Sequence, residues 1–204
     1  MLVLEGPHQQ AGIHKPMTAI RIPNQRAVVD RRGLTTAIAD VVAAQGAANA
    51  RPQVVEILRG ALAKGRAEIA QRLAERPSAG NDSAAAQAFL VDQLVRIIHD
   101  HVVGHVYRAS NRSTGERLSI MAVGGYGRGE MAPHSDVDIA FLTPSKQTSW
   151  CEQVIEAMLY FLWDLGLKIG HSSRSLDDMV RMGRSDLTIR TALLEGRYVW
   201  GDQD

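Results

Sequence analysis

Apolar residues recur every three or four positions after Pro52, which predicts an amphipathic helix. Its apolar positions are Val54, Leu58, Ala61, Leu62, Ile69 and Leu73. The segment 77–83, which contains proline and glycine, ends this pattern, and a second helix is predicted from Ala84 to about Tyr107, with Asp82 or Ser83 as its N-cap. We expect the two helices to form an antiparallel pair that packs on a sheet built from the rest of the chain.

Short apolar runs that are typical of buried strands follow the helical pair. Leu118–Val123 is one such run, and a second strand covers the acidic segment 135–142. The apolar residues that anchor this second strand are Val137, Ile139, Phe141 and Leu142. The helical pattern returns over Trp150–Leu165, and residues 167–173 alternate like a further strand. This order predicts an α+β fold in which helices flank a small mixed sheet.

The first fifty residues show little periodicity before Leu34. They contain Pro7, Gly12, Pro16 and Pro23. We therefore predict an irregular or partly disordered lead-in over residues 1–50. The helical pair is assigned to residues 51–110, and the unit that contains the sheet to residues 111–204.

Two aspartates, Asp136 and Asp138, stand two positions apart on the predicted acidic strand. Residues i and i+2 of a strand point to the same face, so the two carboxylates are expected to lie side by side and to repel each other. Such a pair either shares a proton or is held ionised by a cation, and oxygen ligands of this kind suit magnesium. The spacing therefore predicts a Mg²⁺ site at these two residues.

A glycine pair, Gly124 and Gly125, stands where the preceding strand ends and the chain must turn. Without side chains, these residues let backbone N–H groups approach a phosphate at the start of a short helix, and Arg128 adds a charged contact one turn later. Either element alone is weak, because a lone Gly-Gly is usually a turn and a lone Asp-x-Asp is more often a solvated strand end or a calcium-like loop. Joined in this order between apolar strands, they indicate a nucleotidyl-transfer site.

Other phosphate-binding motifs fit the glycine segment less well. The segment lacks the lysine of a P-loop, and no long crossover helix precedes the acidic strand, as a dinucleotide fingerprint would require.

Composition narrows the class of protein. The chain has 204 residues, of which 45% are hydrophobic, enough for one good core. Its net charge is +1, so no strong field attracts nucleic acid or an anionic membrane surface. No apolar run reaches the length of a membrane span, and the first residues lack the pattern of a secretion signal. The single cysteine, Cys151, excludes an internal disulfide. We expect a cytoplasmic protein with neither a nucleic-acid nor a membrane partner.

The histidines offer weaker candidates. His101 and His105 have a helical spacing that metals can use, but we favour packing or partner-surface roles because no third ligand stands out. The pair His99-Asp100 suggests a His-Asp phosphohydrolase, yet such a site needs further histidines and aspartates over a long helical domain that this sequence lacks. Two interpretations of His171 stay open, namely a strand-end histidine bonded to backbone and a residue near the nucleotide.

The segment 124–142 resembles the active-site motif of the DNA polymerase β-type nucleotidyltransferase superfamily, in which Gly-Gly or Gly-Ser precedes an Asp-x-Asp strand. Over about residues 59–204 the chain is similar to one family in particular, the bacterial PII protein uridylyltransferase/uridylyl-removing enzymes. The further motifs that carry this resemblance are Leu162-Trp163-Asp164, Leu167-Lys168-Ile169-Gly170-His171-Ser172-Ser173-Arg174, Ser185-Asp186-Leu187-Thr188 and Gly201-Asp202. The resemblance implies a polymerase β-like nucleotidyltransferase fold with an N-terminal helical pair.

The resemblance also implies an activity. The family transfers uridylate from UTP to a tyrosine of PII, the nitrogen-status signalling protein, in a magnesium-dependent reaction that releases pyrophosphate. The residues implied are Asp136 and Asp138 for catalysis and metal binding, Gly124, Gly125 and Arg128 for the triphosphate, and Ser135 for support of the metal loop. The family continues with a His-Asp uridylyl-removing domain and glutamine-sensing ACT domains. We therefore expect this chain to be the N-terminal piece of a bifunctional nitrogen sensor, able at most to transfer.

Several alternatives stay open at this point. Superfamily members usually carry a third carboxylate on a later strand, where this chain offers Lys168, so Glu195 or Asp186 would have to replace it. Another enzyme of the superfamily, such as an adenylyltransferase or a small-molecule nucleotidyltransferase, would share the same motifs, and the residues do not by themselves select uridine over adenine. A catalytically inactive nucleotide- or PII-binding module is the alternative from a different class.

Overall fold

The structure, a computed structural model, describes residues 22–109, 115–145 and 147–203. Its helices are α1 (Gln25–Val28), α2 (Arg31–Gln45), α3 (Ala47–Glu75), α4 (Gly80–His101), α5 (Gly124–Arg128), α6 (Ser149–Asp164), α7 (Leu176–Ser185) and α8 (Leu187–Leu194). A π-helical turn, Val102–Val106, extends α4. The strands are β1 (Ser119–Ala122), β2 (Val137–Thr143), β3 (Ile169–Ser175) and β4 (Arg197–Gly201).

The two long helices α3 and α4 form the expected antiparallel pair. Gly65 and Leu90 lie at matching distances from the loop that joins the helices, and a Cβ atom at Gly65 would be 2.7 Å from Leu90 Cδ1. Their close approach shows that the helices run back along each other. The pair packs on the rest of the molecule through α4, whose residues Leu94 and Ile98 are fully buried in the main core.

The predicted helix starts need correction. Helix α3 begins at Ala47 and not at Pro52, because the proline costs only one helical hydrogen bond while Ala50 and Val54 are fully buried on the same helix. Helix α4 begins at Gly80, after the N-cap residue Ala79, so neither Asp82 nor Ser83 is the cap.

The prediction of an irregular lead-in over residues 1–50 is wrong for residues 22–50, while residues 1–21 lie outside the described part of the chain. Helix α2 forms because Asp30 caps it, its side chain accepting a hydrogen bond from the Gly33 N–H, and because Ile38 and Val41 are buried in the main core. Because this stretch has little local periodicity, its sequence did not predict a helix that is stabilised by tertiary packing. The domain boundaries proposed from sequence stay predictions.

Within the described residues, four strands form one mixed sheet in the order β3-β2-β1-β4. Strand β1 pairs antiparallel with both β2 and β4, and β2 pairs parallel with β3. The α+β class and the small mixed sheet flanked by helices are confirmed. Strand β4 is an element that the sequence analysis did not predict. It is held to α4, where Arg96 donates to the Val199 carbonyl and the Trp200 indole donates to Asp100.

The sheet has two unlike faces, which alternate along β2. The core face carries Ile139 and Phe141 of β2 and Ile120 of β1, all within the main core. The acid face carries Asp138 and, further along β2, a small apolar cluster that packs under α7 and α8. That cluster contains Ala140, Leu142 and Met179, with Met121, Val123, Ile189 and Leu193 partly buried against it. The cluster begins after Asp138, so the start of β2 is where the acid face carries polar groups.

Candidate functional site

The two aspartates lie at the start of β2, where the acid face is polar. Asp138 is the second residue of the strand and is half-buried, whereas Asp136 stands just before the strand and is exposed. Burial, followed by the charge of the nearby Asp136 carboxylate, raises the pKa of Asp138 above its ordinary value. The structure therefore brings together the two carboxylates that the spacing predicts, and the charge of Asp136 disfavours the ionisation of Asp138.

Two glycines enclose the Asp138 carboxylate from opposite sides. A Cβ atom at Gly124 would be 3.2 Å from one carboxylate oxygen, and a Cβ atom at Gly170, which pairs with Asp138 across β2 and β3, would collide with the other. Gly124 also has φ 60°, a left-handed conformation that L side chains rarely adopt. Both positions thus need glycine for the carboxylate to occupy its place. The need for Gly170 was not predicted from sequence.

The glycine segment forms the short helix α5, which turns directly off β1. Its backbone is tied down by the Gly127 N–H, which donates to the Val123 carbonyl, and by the Glu130 N–H, which donates to the Gly125 carbonyl. A Cβ atom at Gly127 would collide with the Glu195 carbonyl oxygen and lie 2.8 Å from that of Ala122. The predicted turn at the end of β1 is present, with the first N–H groups of α5 next to Asp138.

Arg128 lies between two carboxylates at the end of α5. Its Nε donates to Glu130 at 2.8 Å, and its terminal nitrogen is 2.8 Å from a Glu195 carboxylate oxygen. These two partners raise the pKa of the guanidinium, so Arg128 is charged and anchored beside the glycine helix. Glu195, one candidate for the third carboxylate, is therefore an ion-pair partner of Arg128 in this structure.

Ser135 orders the loop that leads into Asp136. Its hydroxyl oxygen accepts a hydrogen bond from the Ala132 N–H at 2.9 Å, and its own N–H donates to the Ala132 carbonyl at 3.1 Å. Both bonds close a tight turn in which His134 has φ 65°. Ser135 thus fixes where the strand starts, and with it the position of the aspartates.

The remaining polar candidates lie in other roles. Asp186 caps α8, accepting hydrogen bonds from the N–H groups of Thr188 and Ile189. His171 pairs in register with Ile139, and its ring centroid is 6.3 Å from that of Trp163 on α6. His171 therefore belongs to the core-face side of β3, opposite Asp138, which does not favour the interpretation that places it near the nucleotide.

The helical histidines pack against each other and against α6. The ring centroids of His101 and His105 are 5.6 Å apart, and the His101 ring meets the Phe161 ring edge-on at 5.5 Å. Burial, and then His105, lowers the pKa of His101 to about 4, so it is neutral at ordinary pH. Across residues 22–109, 115–145 and 147–203, no three His, Cys, Asp or Glu side chains form a group that could hold a metal ion. The geometry agrees with packing histidines.

Sequence reasoning missed a buried polar cluster behind the glycine helix. Tyr126 is 1% exposed, and its hydroxyl donates to Asp92 of α4 at 2.7 Å. Arg197, the first residue of β4, donates to both oxygens of the same carboxylate, at 2.7 and 3.0 Å. A signal for this cluster was present, since Asp92 interrupts the apolar face of a helix whose neighbouring positions are Leu90, Val91, Leu94 and Val95.

Comparison with known proteins places this site in a family. A nucleotidyltransferase domain family matches residues 107–197, the part that contains both aspartates and the glycine helix. The bifunctional uridylyltransferase/uridylyl-removing enzyme of Novosphingobium aromaticivorans is 77% identical over 184 residues, which are 90% of this chain and 20% of that protein. The chain belongs to the family of bifunctional uridylyltransferase/uridylyl-removing enzymes.

Two further members of the bifunctional uridylyltransferase/uridylyl-removing family extend the comparison. The protein of Erythrobacter litoralis is 62% identical and that of Rhodospirillum rubrum 48% identical, each over 188 residues, or 92% of this chain and 20% of the relative. The chain thus spans about one-fifth of the length of these curated relatives. Among the described helices, none has both the length and the apolar character that crossing a membrane requires.

Proposed function

We propose that this chain carries out magnesium-dependent transfer of uridylate from UTP to a tyrosine of the PII signalling protein, with release of pyrophosphate. The observation that carries the proposal is the Asp138 carboxylate, seated between Gly124 and Gly170 beside Asp136 at the open end of the acid face. The relatives named above are uridylyltransferases by name, and their match to this chain includes the acid and glycine segments. We assign to this chain only the transfer half of the family's two activities, and we place it in the cytoplasm.

The donor set at the start of β2 fits Mg²⁺. The ion prefers oxygen ligands and is usually held by one or two protein carboxylates together with substrate phosphates, which agrees with a pair of aspartates that has no third acidic neighbour among the described residues. Asp136 and Asp138 would hold it. A bound cation would also offset the charge of Asp136, which disfavours the ionisation of Asp138. When bound, Mg²⁺ neutralises phosphate charge and helps to align the triphosphate.

The protein's own groups have separate tasks in this proposal. The first N–H groups of α5 have no acceptor within the helix and lie next to Asp138, so they would be available to phosphates bound there, which the partial positive charge of a helix start favours. Arg128 supplies a guanidinium close to that helix, and it reaches a phosphate by exchanging its contact with Glu130 or Glu195. Catalysis then depends on holding the α-phosphorus and the attacking hydroxyl in line.

Incorporation of labelled uridylate from UTP into purified PII, with Mg²⁺ present, tests the proposal. We expect transfer by the parent chain and none by Asp136→Ala. Asp40→Ala is a matched control, because Asp40 is an exposed residue of α2 and α2 contributes no residue to the proposed site. Equal transfer by Asp136→Ala and the parent would contradict the assigned site.

Competition between nucleotides tests the choice of uridine. We expect unlabelled UTP to displace a fluorescent UTP analogue at lower concentration than ATP does. Tighter binding of ATP would favour an adenylyltransferase. An inactive binding module predicts something else, namely that the double change Asp136→Asn/Asp138→Asn abolishes binding of Mg²⁺ and nucleotide but leaves PII association unchanged while the parent transfers nothing.

A further inference from the structure

The glycine helix α5 is attached to the helical pair by one buried carboxylate. Asp92 of α4 is 7% exposed, and each of its oxygens accepts hydrogen bonds. One oxygen accepts from the Tyr126 hydroxyl at 2.7 Å and from Arg197 at 3.0 Å, and the other accepts from Arg197 at 2.7 Å. A buried carboxylate that accepts three hydrogen bonds, two of them from a single guanidinium, is held rigidly in place.

Arg197 also holds the backbone of the glycine helix. Its remaining donors reach the carbonyl oxygens of Tyr126 and Gly127, each at 3.3 Å. Arg197 therefore joins three elements, since it belongs to β4, contacts the Asp92 side chain of α4 and contacts two carbonyls of α5. Those carbonyls are at the C-terminal end of a five-residue helix, so fixing them fixes the direction of the whole helix.

Tyr126 has one protonation state in this position. Burial, and then the Asp92 carboxylate, raises the pKa of its hydroxyl well above the ordinary value, so the hydroxyl is a donor at neutral pH. Its ring is fully buried, and the ring centroid lies 5.5 Å from the Arg197 guanidinium carbon. The residue thus packs and hydrogen-bonds at the same time, two positions after Gly124.

We propose that Asp92, Tyr126 and Arg197 form a positioning clamp that fixes the glycine turn relative to Asp136 and Asp138. The clamp contacts neither aspartate, and its members act on the nucleotide only through the backbone of α5. The inference rests on the proposed function for its consequence, weaker binding of UTP, but not for its physical basis, the local order of residues 124–130.

Tyr126→Phe is the mildest test, because it keeps the ring and removes a single hydrogen bond. Three amides report on the helix, since the N–H groups of Gly127, Gly129 and Glu130 donate to Val123, Tyr126 and Gly125. We expect hydrogen exchange at these amides to become about tenfold faster, and Mg²⁺-dependent affinity for UTP to fall about three- to tenfold, as the loss of a hydrogen bond to a charged group implies. Exchange at Ile120 and Ile139 in the sheet should stay unchanged.

Asp100→Asn is the matched control. Asp100 lies on α4, as Asp92 does. It accepts a hydrogen bond from Trp200 of β4, the strand that contains Arg197, and forms an ion pair with Arg31, but it does not contact α5. This variant should lose stability without a change in the exchange of residues 124–130 or in UTP affinity. Arg197→Lys, which keeps the charge but not the two-pronged contact, should show the same local loosening as Tyr126→Phe.

Two results would overturn the clamp. One is exchange at residues 124–130 that is unaltered in both Tyr126→Phe and Arg197→Lys. The other is an equal change in Asp100→Asn, which would show that general stability controls the glycine helix. If the parent chain bound no UTP, the proposed function would fail, yet the exchange comparison would still decide whether the clamp orders α5.

Discussion

The core face and the acid face of the sheet differ in what alternate residues of one strand do. On the core face, Ile139 and Phe141 are at most 1% exposed and belong to the main apolar core. On the acid face, Asp138 is half-buried, carries a raised pKa and has a glycine on either side. The same seven-residue strand therefore stabilises the fold with one set of side chains and presents charge with the other.

The two faces also differ in what they contribute to the free energy of folding. Burying an apolar side chain on the core face is favourable, whereas placing two carboxylates side by side on the acid face is unfavourable until a cation or a proton is bound. Under the proposed function, the acid face lowers the stability of the chain because it carries the charged groups that the reaction needs. Substitutions on the two faces should consequently separate activity from stability.

The largest effect is expected for Asp138→Asn. We expect uridylyl transfer to fall by about a thousandfold, because the variant loses the charge of one of the two proposed Mg²⁺ ligands. Thermal unfolding without Mg²⁺ should show a melting temperature equal to or above that of the parent at neutral pH, since an unfavourable ionised group has been removed. A variant that is clearly less stable than the parent would contradict the division of roles between the faces.

Phe141→Ala tests the other face. Truncating a fully buried phenylalanine should lower the free energy of unfolding by about 3–5 kcal/mol. Urea denaturation measures this loss, with Leu187→Ala as the control, because Leu187 is 73% exposed and its truncation should change stability by less than about 0.5 kcal/mol. The folded fraction of Phe141→Ala should still bind UTP with Mg²⁺. Lost binding in a folded variant would mean that the faces are not separable.

Gly170→Ala sharpens the role of the glycines around Asp138. The added Cβ collides with a carboxylate oxygen, so the side chain must rotate away, and transfer should fall by about ten- to a hundredfold. Gly60→Ala is the matched control, since a Cβ atom there meets nothing within 4 Å on an exposed helical face and should stabilise α3 by roughly 0.5–1 kcal/mol. Similar activity in both variants would exclude the proposed steric requirement.

The smallest expected effect is the pH dependence of stability and of UTP binding. The pKa of Asp138 is raised in the folded chain above its ordinary value of 3.8, so the folded state binds this proton more tightly than the unfolded state does. The resulting stabilisation is full below the unfolded pKa and is lost as the pH rises through the folded pKa. Unfolding curves at several pH values should therefore show the advantage of Asp138→Asn over the parent growing with pH, and Mg²⁺-dependent UTP binding by the parent should weaken as the pH falls through the same window. A pH-independent difference would contradict the raised pKa.

The sequence predicted the residues of the acid face better than it predicted the long-range contacts that hold the glycine helix and β4 in place. The spacing of Asp136 and Asp138 and the turn at Gly124 were visible because alternation and backbone sterics are local rules. The clamp was not visible, since Asp92, Tyr126 and Arg197 are far apart along the chain and come together only in the fold. Strand β4 was missed for a similar reason, because its five residues are stabilised by pairing with β1 and by contacts with α4. The hydrophobic pattern of a short segment says little about pairing with residues that are distant in the sequence.

A backbone amide NMR titration with UTP, in the presence of Mg²⁺, would show whether the nucleotide binds at the acid face. We expect the largest chemical-shift changes at residues 124–129, at Asp136 and Asp138 and at Gly170, with none of similar size at His171 or along α6. The same titration of Asp138→Asn should leave these signals in place. Changes concentrated at His171 and Trp163, on the opposite side of the sheet, would contradict the assignment of the acid face as the nucleotide site.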